Sequence, residues 1–293
     1  MYYRRKLLLA LIESFGGSLP RTDCIKLLFL FNQKSKEQHY TFFPYKFGGF
    51  SFIAYQDKAR LESLGLLASQ HDFSLNTDQS FIGQLKVEDR ILLEDLAKEW
   101  KGNLGKDLIK GAYLRYPYFA IKSEIAEEIL TTKEMEKVHG THILEDDPCL
   151  FSIGYEGKSI DAFLNDLIKN NIKTLVDVRK MPRSMKYGFS KTKLSQYLGK
   201  IGVQYVHCPD LGIPSELRKS LETDEDYRKL FGLYDSQILP DQHNALENIL
   251  GILKDRSRIA LMCFEADPNH CHRNRIVEYL VNSMKLKSEV KHV

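Results

Sequence analysis

From residue 150 onward the chain alternates short apolar runs with helix-patterned segments, and each run ends in a polar loop. Leu150-Phe151-Ser152-Ile153 leads into Gly154-Tyr155-Glu156-Gly157. Thr174-Leu175-Val176 leads into Asp177-Val178-Arg179-Lys180-Met181-Pro182-Arg183-Ser184. Val203-Gln204-Tyr205-Val206 leads into His207-Cys208-Pro209-Asp210-Leu211-Gly212. Ile259-Ala260-Leu261-Met262 leads into Cys263-Phe264-Glu265 and on to His270-Cys271-His272-Arg273. Strands separated by helices imply right-handed crossovers and a parallel sheet. In an open parallel sheet, loops at the carboxyl ends of neighbouring strands face one crevice.

The pattern predicts strands at 150–153, 173–177, 203–206 and 258–262, and a last short one at 289–292. Helices are predicted at 159–170, 190–200 and 271–284, with mostly helical sequence from 207 to about 254. The expectation for 149–293 is a three-layer α/β domain with a parallel sheet, Rossmann-like or rhodanese-like, that carries the catalytic chemistry.

Residues 1–145 read as mainly helical and winged-helix-like. Leu7, Leu8, Leu11 and Ile12 recur at helical spacing, and Gly16-Gly17 ends that helix. Thr22-Asp23 is expected to cap a second helix that buries Ile25, Leu28, Phe29 and Phe31. Ser51 is expected to cap a third, closed at Gly65. Leu66-Leu67 and Phe81-Ile82 read as extended segments around a polar wing, with helices following at 87–101 and 122–138. The Arg4-Arg5-Lys6 cluster with Arg21, Lys26 and Lys34 is placed to meet phosphate. A packing or dimerisation domain without nucleic acid is the alternative. The stretch 140–149, with Glu145-Asp146-Asp147-Pro148, reads as a linker.

A length of 293 residues suits two domains, and 43% hydrophobic with 28% charged residues is ordinary for a folded protein. No run of 18 apolar residues occurs, so no membrane partner is expected. Five cysteines in irregular positions argue against a disulfide framework and for a reducing, cytoplasmic setting. A net charge of +3 does not by itself argue for nucleic acid, so local clusters of Lys and Arg must carry that expectation. A homo-oligomer stays open.

Ser152-Ile153-Gly154-Tyr155-Glu156-Gly157-Lys158-Ser159, Leu175-Val176-Asp177-Val178-Arg179 with Pro182-Arg183-Ser184, Tyr205-Val206-His207 with Leu211-Gly212, and Leu261-Met262-Cys263-Phe264-Glu265 with Cys271-His272-Arg273 form an ordered set. In that order they resemble the signatures of the family called domain of unknown function 488. The N-terminal half, around Lys26-Leu27-Leu28-Phe29 and Pro44-Tyr45, more loosely resembles a Panacea-like antitoxin module. The resemblance implies, by association, a role in genome defence or nucleic-acid metabolism.

Asp177 and Arg179 leave their strand two residues apart, on one side, and can pair with each other or grip a substrate. Lys180, Arg183, Lys186 and Lys191 extend the positive charge, and a guanidinium fork matches phosphate oxygens. Glu156, Glu265 and Asp177 in one crevice suit general acid–base work or a divalent cation. Tyr155, Tyr187 and Tyr205 could stack on a base or simply pack. His207 could relay a proton or serve structure. Cys263, at a strand end, and Cys271, at a helix start that would lower its pKa, are candidate nucleophiles. Cys263 read as a small buried hydrophobe is the alternative. The spacing from Cys263 to Arg273 does not match the short anion-binding loop of rhodaneses or cysteine phosphatases. Cys263, His270, Cys271 and His272 are metal-ligand types, but neighbours on a helix point about 100° apart, so all four cannot converge and no metal ligand is assigned.

The expected catalytic set is Glu156, Asp177, Glu265 and His272. Tyr155, Arg179, Arg183, Ser184, His207 and Arg273 are expected to bind substrate. The reading is an enzyme on DNA, RNA or a nucleotide that hydrolyses a phosphodiester or N-glycosidic bond. The alternatives are a non-catalytic DNA- or partner-binding regulator and a rhodanese-like or phosphatase-like thiolate enzyme.

Overall fold

The computed structural model describes residues 1–69, 71–141, 145–218 and 223–293. The chain forms two compact units, Met1–Ile143 and Leu144–Val293.

The first unit is built around helices α1 (Tyr3–Ser14) and α2 (Arg21–Lys34), whose central residues are buried on every side. Strand β1 (Ser18–Leu19) lies between them. A hairpin of β2 (Phe43–Tyr45) and β3 (Gly48–Phe50) follows, then α3 (Phe52–Ser63) and β4 (Phe73–Ser74). The unit ends with α4 (Val87–Trp100), α5 (Lys106–Arg115), α6 (Ala126–Ile129) and α7 (Thr132–Gly140). Ser51 caps α3 as expected, accepting the Ala54 N–H at 3.2 Å.

Several expectations for this unit are corrected. The second helix starts at Arg21, with Pro20 at its N-cap, and Asp23 instead accepts the Gly105 N–H at 3.1 Å. Phe81-Ile82 is not a strand: the Glu13 carboxylate accepts the Phe81 N–H at 2.8 Å and the Ile82 N–H at 3.3 Å and seats a 3-10 turn there. Phe73–Ser74 pairs with Ser18–Leu19 in its place. The helix expected over 122–138 breaks at Leu130, where Thr131 and Glu134 form a capping box that starts α7. Five of the cations expected to meet phosphate, Arg4, Arg5, Arg21, Lys26 and Lys34, have partners inside the unit. Arg4 and Arg5 each reach Asp57 at 2.6 Å, Lys34 pairs with Glu99 at 3.0 Å, and Arg21 donates to the His71 carbonyl. Lys26 is buried and donates to the Gly49 carbonyl at 3.0 Å.

The second unit follows the expected alternation. Its elements are β5 (Cys149–Gly154), α8 (Ile160–Lys169), β6 (Thr174–Asp177), α9 (Lys191–Lys200), β7 (Gln204–His207), α10 (Asp224–Leu233), α11 (His243–Arg256), β8 (Arg258–Cys263), α12 (His272–Asn282) and β9 (Glu289–His292). The strands form one parallel sheet in the order β7-β6-β8-β5-β9. Leu150, Val176, Ile259 and Leu261 pack on one face with Leu246 and Ile249 of α11 and Ile276 and Leu280 of α12. Strand period two turns the equally buried Phe151, Ile153, Leu175 and Met262 to the other face, where right-handed crossovers put α8 and α9.

The strand order decides where a site can form. From β6 the chain moves outward to β7, and from β8 it moves the opposite way to β9. The carboxyl ends of the adjacent pair β6 and β8 are therefore a topological switch point, the place where open α/β sheets leave a crevice.

Candidate functional site at the carboxyl ends of the sheet

At the end of β6, Asp177 and Arg179 close on each other. Arg179 Nε meets Asp177 Oδ1 at 2.8 Å and Nη2 meets Oδ2 at 2.6 Å. Arg179 also donates to the Tyr155 hydroxyl at 2.8 Å and the Phe189 carbonyl at 3.0 Å. Asp177 further accepts the Arg179 backbone N–H at 3.1 Å and the Tyr205 hydroxyl at 2.7 Å, and it is wholly buried. Burial and the adjacent carboxylate push the Tyr205 phenol above its ordinary pKa. Tyr155 stacks on Phe189 at 4.3 Å, so that face is taken. This network holds the loop after β6. Asp177, expected as a reacting carboxylate, and Tyr155, expected as a base platform, thus have internal partners, as buried polar groups generally do.

The loop that this network holds is where charge is free. A cleft of about 300 Å³ is lined by Tyr155, Arg179, Lys180, Met181, Arg183, Ser184, Ile213, Cys263, Phe264 and Glu265. Lys180 and Arg183 are exposed and form no ion pair among the described residues. Ser184 turns the loop, its hydroxyl accepting the Lys186 N–H at 3.1 Å. His207, expected to bind substrate, bonds the Arg179 carbonyl at 3.0 Å and steadies the start of the loop.

The opposite wall comes from β8 and α12. Cys263 Sγ lies 3.2 Å from Glu265 Oε2 and 3.7 Å from His272 Nδ1. His272 Nε2 donates to the Val178 carbonyl at 3.1 Å. A carbonyl only accepts, so Nε2 carries a proton, and in the neutral ring it is the Nδ1 lone pair that faces the thiols. Cys271 Sγ lies 4.0 Å from the same Nδ1. Burial pushes the Cys271 thiol well above its ordinary pKa, with Cys263 adding to the rise, so the lowering expected from a helix start is overturned. Burial acts to raise the Glu265 carboxyl too, but hydrogen bonds from Cys271, its own backbone and Cys263 hold it below the usual range.

Arg273 is the brace of this wall. It is buried and donates to Ser152 Oγ at 2.8 Å, to the Glu265 carbonyl and to the Ala266 carbonyl at 2.9 Å. Expected as a substrate ligand, it instead has its guanidinium turned to the Cys263–Ala266 loop and Ser152. Glu156 is exposed and accepts the Ala266 N–H at 3.0 Å, which ties the loop after β5 to the same wall.

The sequence of this unit resembles something known in one respect. Residues 159–280 match the family model of DUF488, a domain of unknown function. The DUF488 match spans Asp177, Arg179, Glu265 and Cys271 to Arg273, while β5 with Tyr155 and Glu156 precedes it. No curated protein and no solved structure matches the chain. Among the described residues, no helix is long and apolar enough to cross a membrane.

Of the expected site residues, Cys263, Glu265, Arg179, Arg183, Ser184 and Tyr155 line one cleft. His272, Cys271 and Arg273 lie behind its β8 wall. Lys180 and Phe264 belong to the cleft lining as well. The signal for Phe264 was its place between Cys263 and Glu265, where strand alternation turns a large apolar group outward.

Proposed function

We propose that the C-terminal unit is an enzyme acting on a phosphate-bearing substrate, a nucleotide or a stretch of DNA or RNA, in the cleft over β6 and β8. The observation that carries this reading is two unspent cations, Lys180 and Arg183, lining one cleft with the Glu265 carboxylate. Exposed Lys and Arg on a loop braced by a buried network are suited to meeting phosphate oxygens. Glu265, held deprotonated, is the group suited to take a proton from an attacking water. The bond broken would be a phosphodiester or an N-glycosidic bond. Exposed Phe264 on the cleft lining offers a flat apolar surface to a base.

The test is binding of fluorescent single-stranded DNA, single-stranded RNA and free nucleotides, followed by product analysis. Lys180→Glu with Arg183→Glu should weaken binding by about tenfold or more at low salt. Glu265→Gln should leave binding intact and remove turnover. Binding indifferent to the double charge reversal would end this reading. Saturable binding with no product from the unmodified chain would leave a ligand-sensing regulator.

A thiolate enzyme is the second reading, favoured by the 3.7 Å approach of Cys263 Sγ to the His272 Nδ1 lone pair. Full turnover in a Cys263→Ser variant would remove it.

A further inference from the structure

We propose that Cys263, Cys271 and His272 are the ligands of a zinc ion, with a fourth position open toward Glu265 and the cleft. This goes beyond the reading of the cleft and holds whatever the cleft binds.

The two Sγ atoms and His272 Nδ1 all lie within 4.8 Å of one another, and all three residues are buried. Zinc–sulfur and zinc–nitrogen bond lengths in a tetrahedron set ligand-to-ligand edges of about 3.5–3.8 Å. The two sulfur-to-Nδ1 distances are 3.7 and 4.0 Å. Two of the three edges thus lie close to those of a tetrahedral face, and the third, between the sulfurs, is no longer than 4.8 Å. His270, the fourth ligand type in this stretch, is turned away to Asp267 at 3.2 Å.

The surroundings are those of a metal ligand set. His272 donates Nε2–H to the Val178 carbonyl, which fixes the tautomer that leaves Nδ1 able to ligate. Arg273 pins the carbonyls of Glu265 and Ala266, so the loop that carries Cys263 is rigid. Cys271 is extended (φ −134°, ψ 134°) and His272 begins the helix, so the two adjacent side chains are not constrained to helical directions. Binding exchanges two thiol protons, lost to solvent, for one doubly charged cation. The buried core of the site therefore stays neutral, which avoids the cost of burying a net charge. Two thiolates and an imidazole select zinc over magnesium or calcium, which require oxygen ligands.

Of the three ligands only Cys263 lines the cleft, together with Glu265, whose Oε2 lies 3.2 Å from Cys263 Sγ. The fourth position therefore opens on the cleft side.

The test uses the full chain, purified reduced and without a metal-affinity tag. Elemental analysis should find one zinc per chain. Cobalt(II) exchanged into that chain should give the visible bands of a tetrahedral site with thiolate charge transfer, saturating at one equivalent. Cys271→Ser and His272→Gln should abolish the saturable signal, while Cys24→Ser, in the other unit, should keep it. Should the ligand variants fail to fold, the cobalt spectrum of the unmodified chain decides alone. A reduced, folded chain that takes up neither zinc nor cobalt at micromolar concentration overturns the proposal. So does a Cys263–Cys271 disulfide in the chain as isolated from the cell.

Discussion

Arg179 turns back on Asp177, two residues before it, through paired bonds of 2.8 and 2.6 Å, both side chains buried at the end of β6. The pair is the anchor of the loop that carries Lys180 and Arg183. Asp177→Asn leaves the guanidinium buried without its counter-charge, and such a break costs about 3–5 kcal/mol. Urea unfolding of the C-terminal unit, followed by circular dichroism, should shift by that much. Arg179→Lys should fail to restore it, because an ammonium cannot reach Asp177, Tyr155 and the Phe189 carbonyl together.

Two glycines set how closely the cleft loops approach. A Cβ at Gly154 would overlap the Glu265 carbonyl oxygen, and one at Gly212 would overlap the Lys180 backbone. Gly154→Ala should destabilise the unit by about 1–3 kcal/mol, since backbone rather than a flexible tip must yield. Gly212→Ala should displace Lys180 and weaken the proposed phosphate binding more than it lowers stability. Parallel urea titrations and anisotropy titrations separate the two effects.

Lys26 makes the first unit sensitive to pH. Burial pulls its pKa from 10.5 to about 7, with Asp23 opposing. The unfolded chain therefore holds a proton that the folded chain has lost between those values, and stability rises with pH across the window. Below about 7 both states are protonated and the cost is full. Trp100, the only tryptophan, lies in this unit and reports its unfolding alone. Subtracting the Lys26→Met curve from that of the unmodified chain between pH 7 and 8.5 should leave a positive slope. A flat difference would show that Lys26 is not buried as described.

Ser51 supplies the cap of α3 through its bond from the Ala54 N–H at 3.2 Å. Ser51→Ala should cost about 1 kcal/mol, and Ser51→Asn or Asp should recover most of it. Trp100 fluorescence in a urea titration measures both.

In the C-terminal unit the strand and helix segments were legible because each rests on a local signal. Leu150 to Ile153 and Ile259 to Met262 are apolar runs of strand length. The first unit was less legible. Its central helices are buried all round, so no single apolar stripe marks a face. The turn at Ile82 depends on Glu13, a residue far away in the chain.

The chain's own order of residues was enough to specify a parallel α/β domain and to place its polar loops at strand ends, because strand period, helix period and crossover handedness are short-range or universal constraints. Tertiary structure alone decided that Asp177 and Arg179 satisfy each other, while Lys180 and Arg183 line the cleft with no ion pair among the described residues. It also decided that Cys263, Cys271 and His272 meet. That meeting depends on β8 lying beside β6, so that the Val178 carbonyl can orient His272, and on an extended Cys271 just before the helix. Neither condition is encoded in the spacing of three residues, because both are properties of which backbones become neighbours.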